Sequence, residues 1–228
     1  MYSSKYNLQV LYEDNHIIVI NKRVGDIVQG DQTGDKPLSD VVKEFIKDKY
    51  KKPGKVFLGV VHRLDRPTSG LVIFAKTSKA LERLNKMLRE KQIDKTYWAI
   101  VKNKPQKEQD TLNHYLKKNP KNNKSTVFKK EIKDSKKAIL HYKVINELNN
   151  YFLLEIDLET GRHHQIRCQL SKIGCPIKGD LKYGFDRSNQ GGGIHLHARE
   201  IRFTHPVTKN EICIIAATPN DVIWNACN

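Results

Sequence analysis

An aspartate flanked by basic side chains is the first feature of the sequence that suggests chemistry. Asp65 lies in HRLDRPTSG, residues 62–70, between two short apolar runs. Arg63 shares the face of Asp65 if the preceding strand continues, whereas Arg66 points elsewhere. A nearby cation keeps a carboxylate ionised, as a nucleophile or a base requires. Asp65 is therefore the first candidate catalytic residue, although a lone aspartate beside a strand often only caps a turn.

A second candidate is Arg162, in GRHHQIR, residues 161–167, at the start of a predicted helix. Positive charge at a helix N-terminus opposes the helix dipole, so this position is locally unfavourable. A nearby anion would compensate the charge, and either Asp65 or an RNA phosphate would serve. A surface arginine without such a partner is the alternative.

The sequence predicts neither a metal site nor a bound cofactor. His195 and His197 share a strand face, but no carboxylate stands at ligand spacing beside them. The four cysteines form no C-x-x-C pair and are predicted to be reduced, buried thiols. Glycine-rich tracts match neither phosphate-loop nor dinucleotide-binding patterns, and no G-x-S-x-G frame appears.

The elements that position these residues indicate an α/β (α+β) protein. Residues 59–77 are predicted to form a buried strand, a polar turn and a second buried strand. In all, about nine strands and three or four helices, joined mostly by short turns, favour a mixed, largely antiparallel central sheet flanked by helices and loops. Helices are predicted at 37–50, from an N-cap at Thr77 or Ser78 to about Gln92, at 165–173, and at the C-terminal end; Ser39 or Asp35 is expected to cap the first.

Composition and charge favour a nucleic-acid partner. The 228 residues carry a net charge of +16, which attracts polyanions over long range. A proteome rich in lysine is the alternative explanation for this charge. No apolar run approaches a membrane span, and no secretory signal is visible, so a cytoplasmic and monomeric protein is expected.

A lysine-rich excursion is predicted at about residues 103–137. Residues 117–137 contain nine lysines and only two acidic residues, Glu131 and Asp134. Apolar residues are too few for a second domain, although a hairpin around residues 125–128 is plausible. Two interpretations stay open at this point: a solvated surface loop, and an arm that contacts phosphates.

Five segments together resemble the RluA family of RNA pseudouridine synthases. GVVHRLDRPTSGLVIFAKT is similar to the catalytic motif of that family, and KTYWAIV to its tyrosine motif. The others are LYEDNHIIVINKRVGDIV, LETGRHHQIRCQLSKIGCPIKGDLKYG and HLHAREIRFTHPVT. The resemblance spans nearly the whole chain, with the motifs in family order. It implies the pseudouridine synthase fold, with residues 1–228 as one catalytic domain and no separate N-terminal RNA-binding domain.

The resemblance implies isomerisation of uridine to pseudouridine in structured ribosomal or transfer RNA, without a cofactor. The glycosidic bond is cut, the uracil turns while bound, and its carbon 5 is joined to the ribose. Asp65 matches the catalytic aspartate, Tyr97 the tyrosine that stacks on the uracil, and Arg162 the residue that pairs with the aspartate. A stacked base cannot be turned over, so the nucleotide must first flip out of the helix. Arg63 is expected to occupy the space that the flipped nucleotide leaves.

Five further residues are predicted to contact the RNA substrate: His62, Lys95, His164, Gln165 and Arg167. Two positions depart from the family pattern. Arg23 stands where a proline is usual, and His163 where a threonine is usual.

Two other functions compete with catalysis of this isomerisation. One is a basic RNA-binding or ribosome assembly protein on the same fold that has lost activity. The joint presence of Asp65, Tyr97 and Arg162 argues against it. The other is a hydrolase of nucleoside bonds that uses Asp65, but such sites usually pair two carboxylates, and no second one stands out.

Overall fold

A computed structural model describes residues 2–227 of the chain. They form eleven strands and four α-helices. The strands are β1 (Val10–Glu13), β2 (Ile17–Lys22), β3 (Gly59–Val60), β4 (Ser69–Ala75), β5 (Ile93–Val101), β6 (Gln109–Asn119), β7 (Lys124–Phe128), β8 (Lys136–Glu147), β9 (Phe152–Leu158), β10 (Leu196–Thr204) and β11 (Glu211–Ile215). The helices are α1 (Leu38–Lys49), α2 (Ser78–Arg89), α3 (Gln165–Lys172) and α4 (Val222–Asn225). Mostly antiparallel pairing and few helices confirm the predicted fold class.

The chain divides into two compact units, and the first comprises Met1–Asp94 with Ala198–Pro219. Its strands follow the order β1-β2-β4-β10, with β3 on β4 and β11 on β10. Every residue of β2 and β4 is buried, because both strands are apolar on both faces. This continuous apolar character produces the core from which the predicted catalytic loop emerges.

The two helices of this unit differ in how they begin. Thr77 caps α2 by accepting a hydrogen bond from Ala80 N, as predicted. The predicted capping of α1 by Ser39 or Asp35 is wrong, since Pro37 is the N-cap and no side chain caps the helix. The physical reason is that Ile27 O and Val28 O accept the amides of Leu38 and Ser39, so the backbone satisfies them.

The second unit comprises Lys95–His197 with Asn220–Asn228, and its strand order is β5-β9-β8-β6-β7. Helix α3 contributes Cys168 to a core cluster with Leu116, Ala138 and Tyr183. Helix α4 contributes Trp224 to another cluster, with Ile100 and Leu153. The sheet therefore buries apolar side chains against both helices.

Most of the predicted excursion at residues 103–137 is regular sheet. A β6–β7 hairpin includes the predicted residues 125–128, and β6 pairs with β8 on its other edge. Alternation of buried residues such as Leu112 and Leu116 with exposed polar ones gives the strand period, which the many lysines obscure in the sequence. Because β7 and β8 flank β6, their connection at residues 129–135 crosses over β6. We call this connection the lysine strap.

Among the described residues, no helix has both the length and the apolar character that crossing a membrane requires.

Candidate active site

The predicted catalytic loop connects β3 to β4 and carries Asp65 in a half-buried position. Its neighbour Leu64 is buried, and Thr68 N donates a hydrogen bond of 3.0 Å to Asp65 O, which closes a tight turn. His62 Nε2 accepts the amide of Ile73 at 3.1 Å, so the ring is anchored to β4. The loop therefore holds the carboxylate on a short and fixed piece of backbone.

The buried side chain of Lys22, at the end of β2, holds this loop by hydrogen bonds to backbone carbonyls. Its ammonium donates to Arg23 O at 2.9 Å, Asp26 O at 2.8 Å and Arg66 O at 3.2 Å. Gly25 N also donates to Arg66 O, at 2.9 Å. The carbonyl next to Asp65 in the chain is thus held from two sides.

Burial lowers the pKa of Lys22 to about 7, while the charges of Asp26 and Asp65 act to raise it and that of Arg66 to lower it further. The three carbonyl partners match the three hydrogens of the ammonium form, which predominates below that pKa; the neutral amine has only two hydrogens to donate. Sequence reasoning missed this residue. The available signal was a lysine that ends the buried apolar strand IIVINK.

Of the two arginines near Asp65 in the chain, Arg66 binds other residues, in agreement with the prediction that it points away from Asp65. Its guanidinium binds Asp35 Oδ2 at 2.7 Å and Thr33 Oγ1 at 2.8 Å, and the Asp35 hydrogen bond raises its pKa. Arg63 is exposed. Its predicted role in filling the space of a flipped nucleotide stays a prediction.

Gly70 explains how the loop re-enters the sheet. Its φ is +110°, and a Cβ built there would lie 2.3 Å from Ala198 O. Only glycine allows β4 and β10 to approach this closely at that point.

The remaining predicted site residues lie in the second unit. Tyr97, on β5, is 7% exposed and stands opposite Ile156 of β9. Residues 159–164, between β9 and α3, carry Arg162, and we call them the arginine loop. Lys95 is partly buried and lies near this loop, since a Cβ built on Gly161 would lie 3.8 Å from its Nζ. Burial lowers the pKa of Lys95.

Arg162 lies just before α3, which begins at Gln165 as predicted. The N-cap of α3 is His164, with a φ of +53°, and no side chain caps the helix. Arg162 Nε donates to Lys137 O at 2.9 Å. A backbone carbonyl oxygen, with its partial negative charge, is thus one partner of the charge for which an anion was predicted.

Gln165 fixes the backbone around Arg162. Its Oε1 accepts Arg162 N at 2.9 Å and Thr160 Oγ1 at 2.8 Å, while its Nε2 donates to Ile139 O. Gln165 is buried, and these bonds tie the arginine loop to β8. The predicted contact of Gln165 with RNA stays a prediction beside this structural role.

Tyr183 connects α3 with the β6–β7 hairpin. Its hydroxyl accepts Ser125 N at 2.8 Å and lies 2.9 Å from His164 Nδ1. Ser125 Oγ donates to His163 O at 2.7 Å, and the rings of His163 and His164 stack at 3.8 Å. Burial raises the pKa of Tyr183 to about 12, so the phenol keeps its proton.

Arg167 forms a buried bidentate ion pair with Asp180. Its Nε lies 2.7 Å from Asp180 Oδ2 and its Nη2 lies 2.9 Å from Oδ1. The two side chains are 5% and 1% exposed. Arg167 therefore stabilises the packing of α3, and its predicted contact with RNA stays a prediction.

Within the described residues, no group of three histidine, cysteine, aspartate or glutamate side chains could hold a metal ion. The chemistry available from the protein's own residues is that of a carboxylate, a buried phenol and guanidinium groups.

Comparison with known proteins identifies relatives over most of the chain. A family profile described as RNA pseudouridylate synthase matches residues 16–172. An uncharacterized RNA pseudouridine synthase of Synechocystis is 34% identical over 215 residues, covering 93% of this chain and 66% of the relative. Ribosomal large subunit pseudouridine synthase C of Rickettsia bellii is 35% identical, covering 92% of this chain and 68% of the relative. The chain thus spans about two thirds of the length of these relatives.

Solved structures give the same fold. Human RNA pseudouridylate synthase domain containing 4 matches with a TM-score of 0.80 and 22% identity, covering 96% of this chain and 92% of the other. Human RNA pseudouridylate synthase domain containing 1 matches with a TM-score of 0.78 and 22% identity, covering all of this chain and 90% of the other.

Proposed function

Because this chain belongs to the RNA pseudouridylate synthase family, we propose that it isomerises specific uridines of a structured RNA to pseudouridine. The family assignment confirms the resemblance to RluA-type enzymes, which are isomerases. Relatives named ribosomal large subunit pseudouridine synthase C and D make ribosomal RNA the first substrate to test, with transfer RNA as the second. We propose that the protein works as a cytoplasmic monomer without a cofactor.

The bracing of the Asp65 turn is the observation that carries this proposal. A catalytic carboxylate must keep its place while the substrate base is released, turned and rejoined. Lys22 and Gly25 hold the adjoining carbonyl, and the Thr68 amide closes the turn. Such fixed geometry is what a reacting group requires, because misplacement by about 1 Å costs roughly a hundredfold in rate.

Each predicted residue has a role in the proposed reaction. Asp65 starts it, by attack on the sugar or the base or by removal of a ribose proton. Tyr97 stacks on the uracil, and Arg162 pairs with the catalytic carboxylate. Arg63 fills the space of the flipped uridine, since the base must leave the stack before it can turn.

Asp65→Asn tests the proposal directly. The amide keeps the shape of the side chain but removes its negative charge, so we expect pseudouridine formation to fall below detection while RNA affinity stays within about twofold. Unmodified large-subunit ribosomal RNA and transfer RNA transcripts serve as substrates, with mass spectrometry as the readout. Asp48→Asn, which changes an exposed carboxylate paired with Lys5, is the matched control.

Two results would contradict the proposal. An Asp65→Asn protein that still forms pseudouridine would remove Asp65 from the reaction. A wild-type protein that binds these RNAs but modifies none, including total RNA from cells that lack it, would favour the non-catalytic RNA-binding function. Mapping pseudouridines in cells with and without the protein identifies the target uridine.

A further inference from the structure

We propose that the lysine strap and the lysines beside it form the surface that holds substrate phosphates next to the Arg162 loop. This inference rests on the proposed function, because it assigns a binding surface for the same RNA. It resolves the two interpretations of the lysine-rich segment in favour of phosphate contact.

Charge is concentrated in this segment. Residues 117–137 carry nine lysines against two acidic residues, a net charge of +7 within a chain of net +16. Elsewhere many surface lysines have acidic partners, as in Lys36–Glu44, Lys49–Glu13 and Lys102–Asp186. Within residues 117–137 the described ion pair is Lys117–Asp134, at 3.4 Å. The excess charge therefore faces solvent, where it attracts a polyanion.

The strap is a structured segment rather than a solvated coil. Ser135 N donates to Ile132 O and Ile132 N to Ser135 Oγ, both at 3.0 Å, which closes a turn in the C-terminal half of the strap. Lys117 Nζ donates to Lys133 O at 3.1 Å, which ties the strap to β6. A segment ordered before binding loses less conformational entropy when it meets its ligand.

The strands on either side of the strap, β7 and β8, are each hydrogen-bonded to the loop that carries Arg162. Lys137 O accepts Arg162 Nε, and Ser125 Oγ donates to His163 O. Phosphates held by the strap would consequently lie beside the loop that carries a predicted catalytic residue. This proximity distinguishes a substrate-holding surface from a remote basic patch.

The side chains favour RNA phosphates over a protein partner. All of Lys129, Lys130, Lys133 and Lys136 are exposed. Among the described side chains of the strap, Ile132 is the large apolar one that is exposed, and 38% of its surface is accessible. A stable protein interface needs an apolar core with aromatic anchors, which this surface does not provide.

The test replaces Lys129, Lys130, Lys133 and Lys136 with glutamine. The probe is an unmodified large-subunit ribosomal RNA fragment, bound in the Asp65→Asn background so that turnover does not interfere. Each lost phosphate contact lowers the slope of log affinity against log salt by about 0.7–0.9, so for four contacts we expect a slope lower by about 3 and at least tenfold weaker binding at low salt. The same four changes in the active enzyme should lower kcat/KM by at least tenfold.

The matched control replaces Lys47, Lys51, Lys52 and Lys55 with glutamine. These lysines are exposed at the end of α1, and the change in net charge is the same. A slope that drops equally in both variants would overturn the inference, because bulk charge alone would explain binding. An unchanged slope in the strap variant, or strap-dependent binding of polyglutamate rather than RNA, would also overturn it. Wild-type activity is measured separately, so failure of the proposed function is distinguishable.

Discussion

At the residue scale, candidate reactive groups are easier to recognise in the sequence than the residues that support them. Asp65 stood out because a turn does not require a carboxylate between arginines. Lys22 could not be recognised in this way, since its role depends on carbonyls of residues 23, 26 and 66 that only folding brings together. A sequence does not show which backbone carbonyls a side chain will meet after folding.

The buried ammonium of Lys22 leads to a prediction about pH. Burial lowers its pKa to about 7 in the folded protein, against a reference value of 10.5. Between these values the unfolded chain holds a proton that the folded chain has released, so this group's contribution to stability rises with pH and is lost as pH falls toward 7.

We therefore expect the free energy of unfolding of wild type, relative to Lys22→Met, to increase from pH 7 to pH 10. The slope approaches about 1.4 kcal/mol per pH unit, the value for one proton. Denaturant unfolding at four pH values measures it, with exposed Lys47→Met as the control. A pH-independent difference between wild type and Lys22→Met would show that Lys22 does not titrate in this range.

At the element scale, strand and helix types were predicted well and their ends less well. The N-cap of α1 was wrongly assigned to a side chain, because backbone carbonyls satisfy the first amides of the helix. The strands within residues 103–137 were undervalued because lysine content outweighed the period-2 pattern. The first error concerns a contact between segments distant in sequence, which local patterns do not report, whereas the second concerns a local pattern that the lysines obscured.

The Arg167–Asp180 pair carries a prediction about how α3 is held. Asp180→Asn removes one charge of a buried pair and leaves the guanidinium without a carboxylate, so we expect a loss of about 3–5 kcal/mol in the free energy of unfolding. Chemical denaturation measures this loss. Asp186→Asn, in the same loop but exposed, should change stability by less than about 1 kcal/mol.

A double variant distinguishes the pair from simple loss of packing. Arg167→Met with Asp180→Leu replaces both charges by apolar groups, which often restores stability. If it is no more stable than Asp180→Asn alone, the unpaired buried charge is not the cause of the loss.

At the scale of the whole molecule, family and fold class were predictable because the motifs are specific and span nearly the whole chain. The target RNA was not, since recognition of a base or a stem depends on the shape of a surface. Net charge predicts attraction to polyanions but not where they bind. The concentration of lysines in residues 117–137 is visible in the sequence, but the path of this segment over β6 became visible only when β6, β7 and β8 were placed in the sheet.

The net charge of +16 predicts electrostatically steered association with RNA. Between 50 and 200 mM salt, we expect the association rate constant to fall by about tenfold and the dissociation rate constant to change less, because screening acts mainly on long-range approach. Stopped-flow mixing of the Asp65→Asn protein with labelled ribosomal RNA measures both rates. An association rate independent of salt would exclude steering.

The crossing of the strap over β6 has a consequence for protein engineering and for evolution. Accessory arms that bind RNA are commonly separable modules, gained or lost without harm to the rest of a protein. Here β7 and β8 occupy the two edges of β6, and their connection passes over it. Excising residues 117–137 would strip one edge of β6 and remove the first residues of β8, so a clean deletion or graft of this arm is not available. Its charge can be altered residue by residue, while its path must be kept.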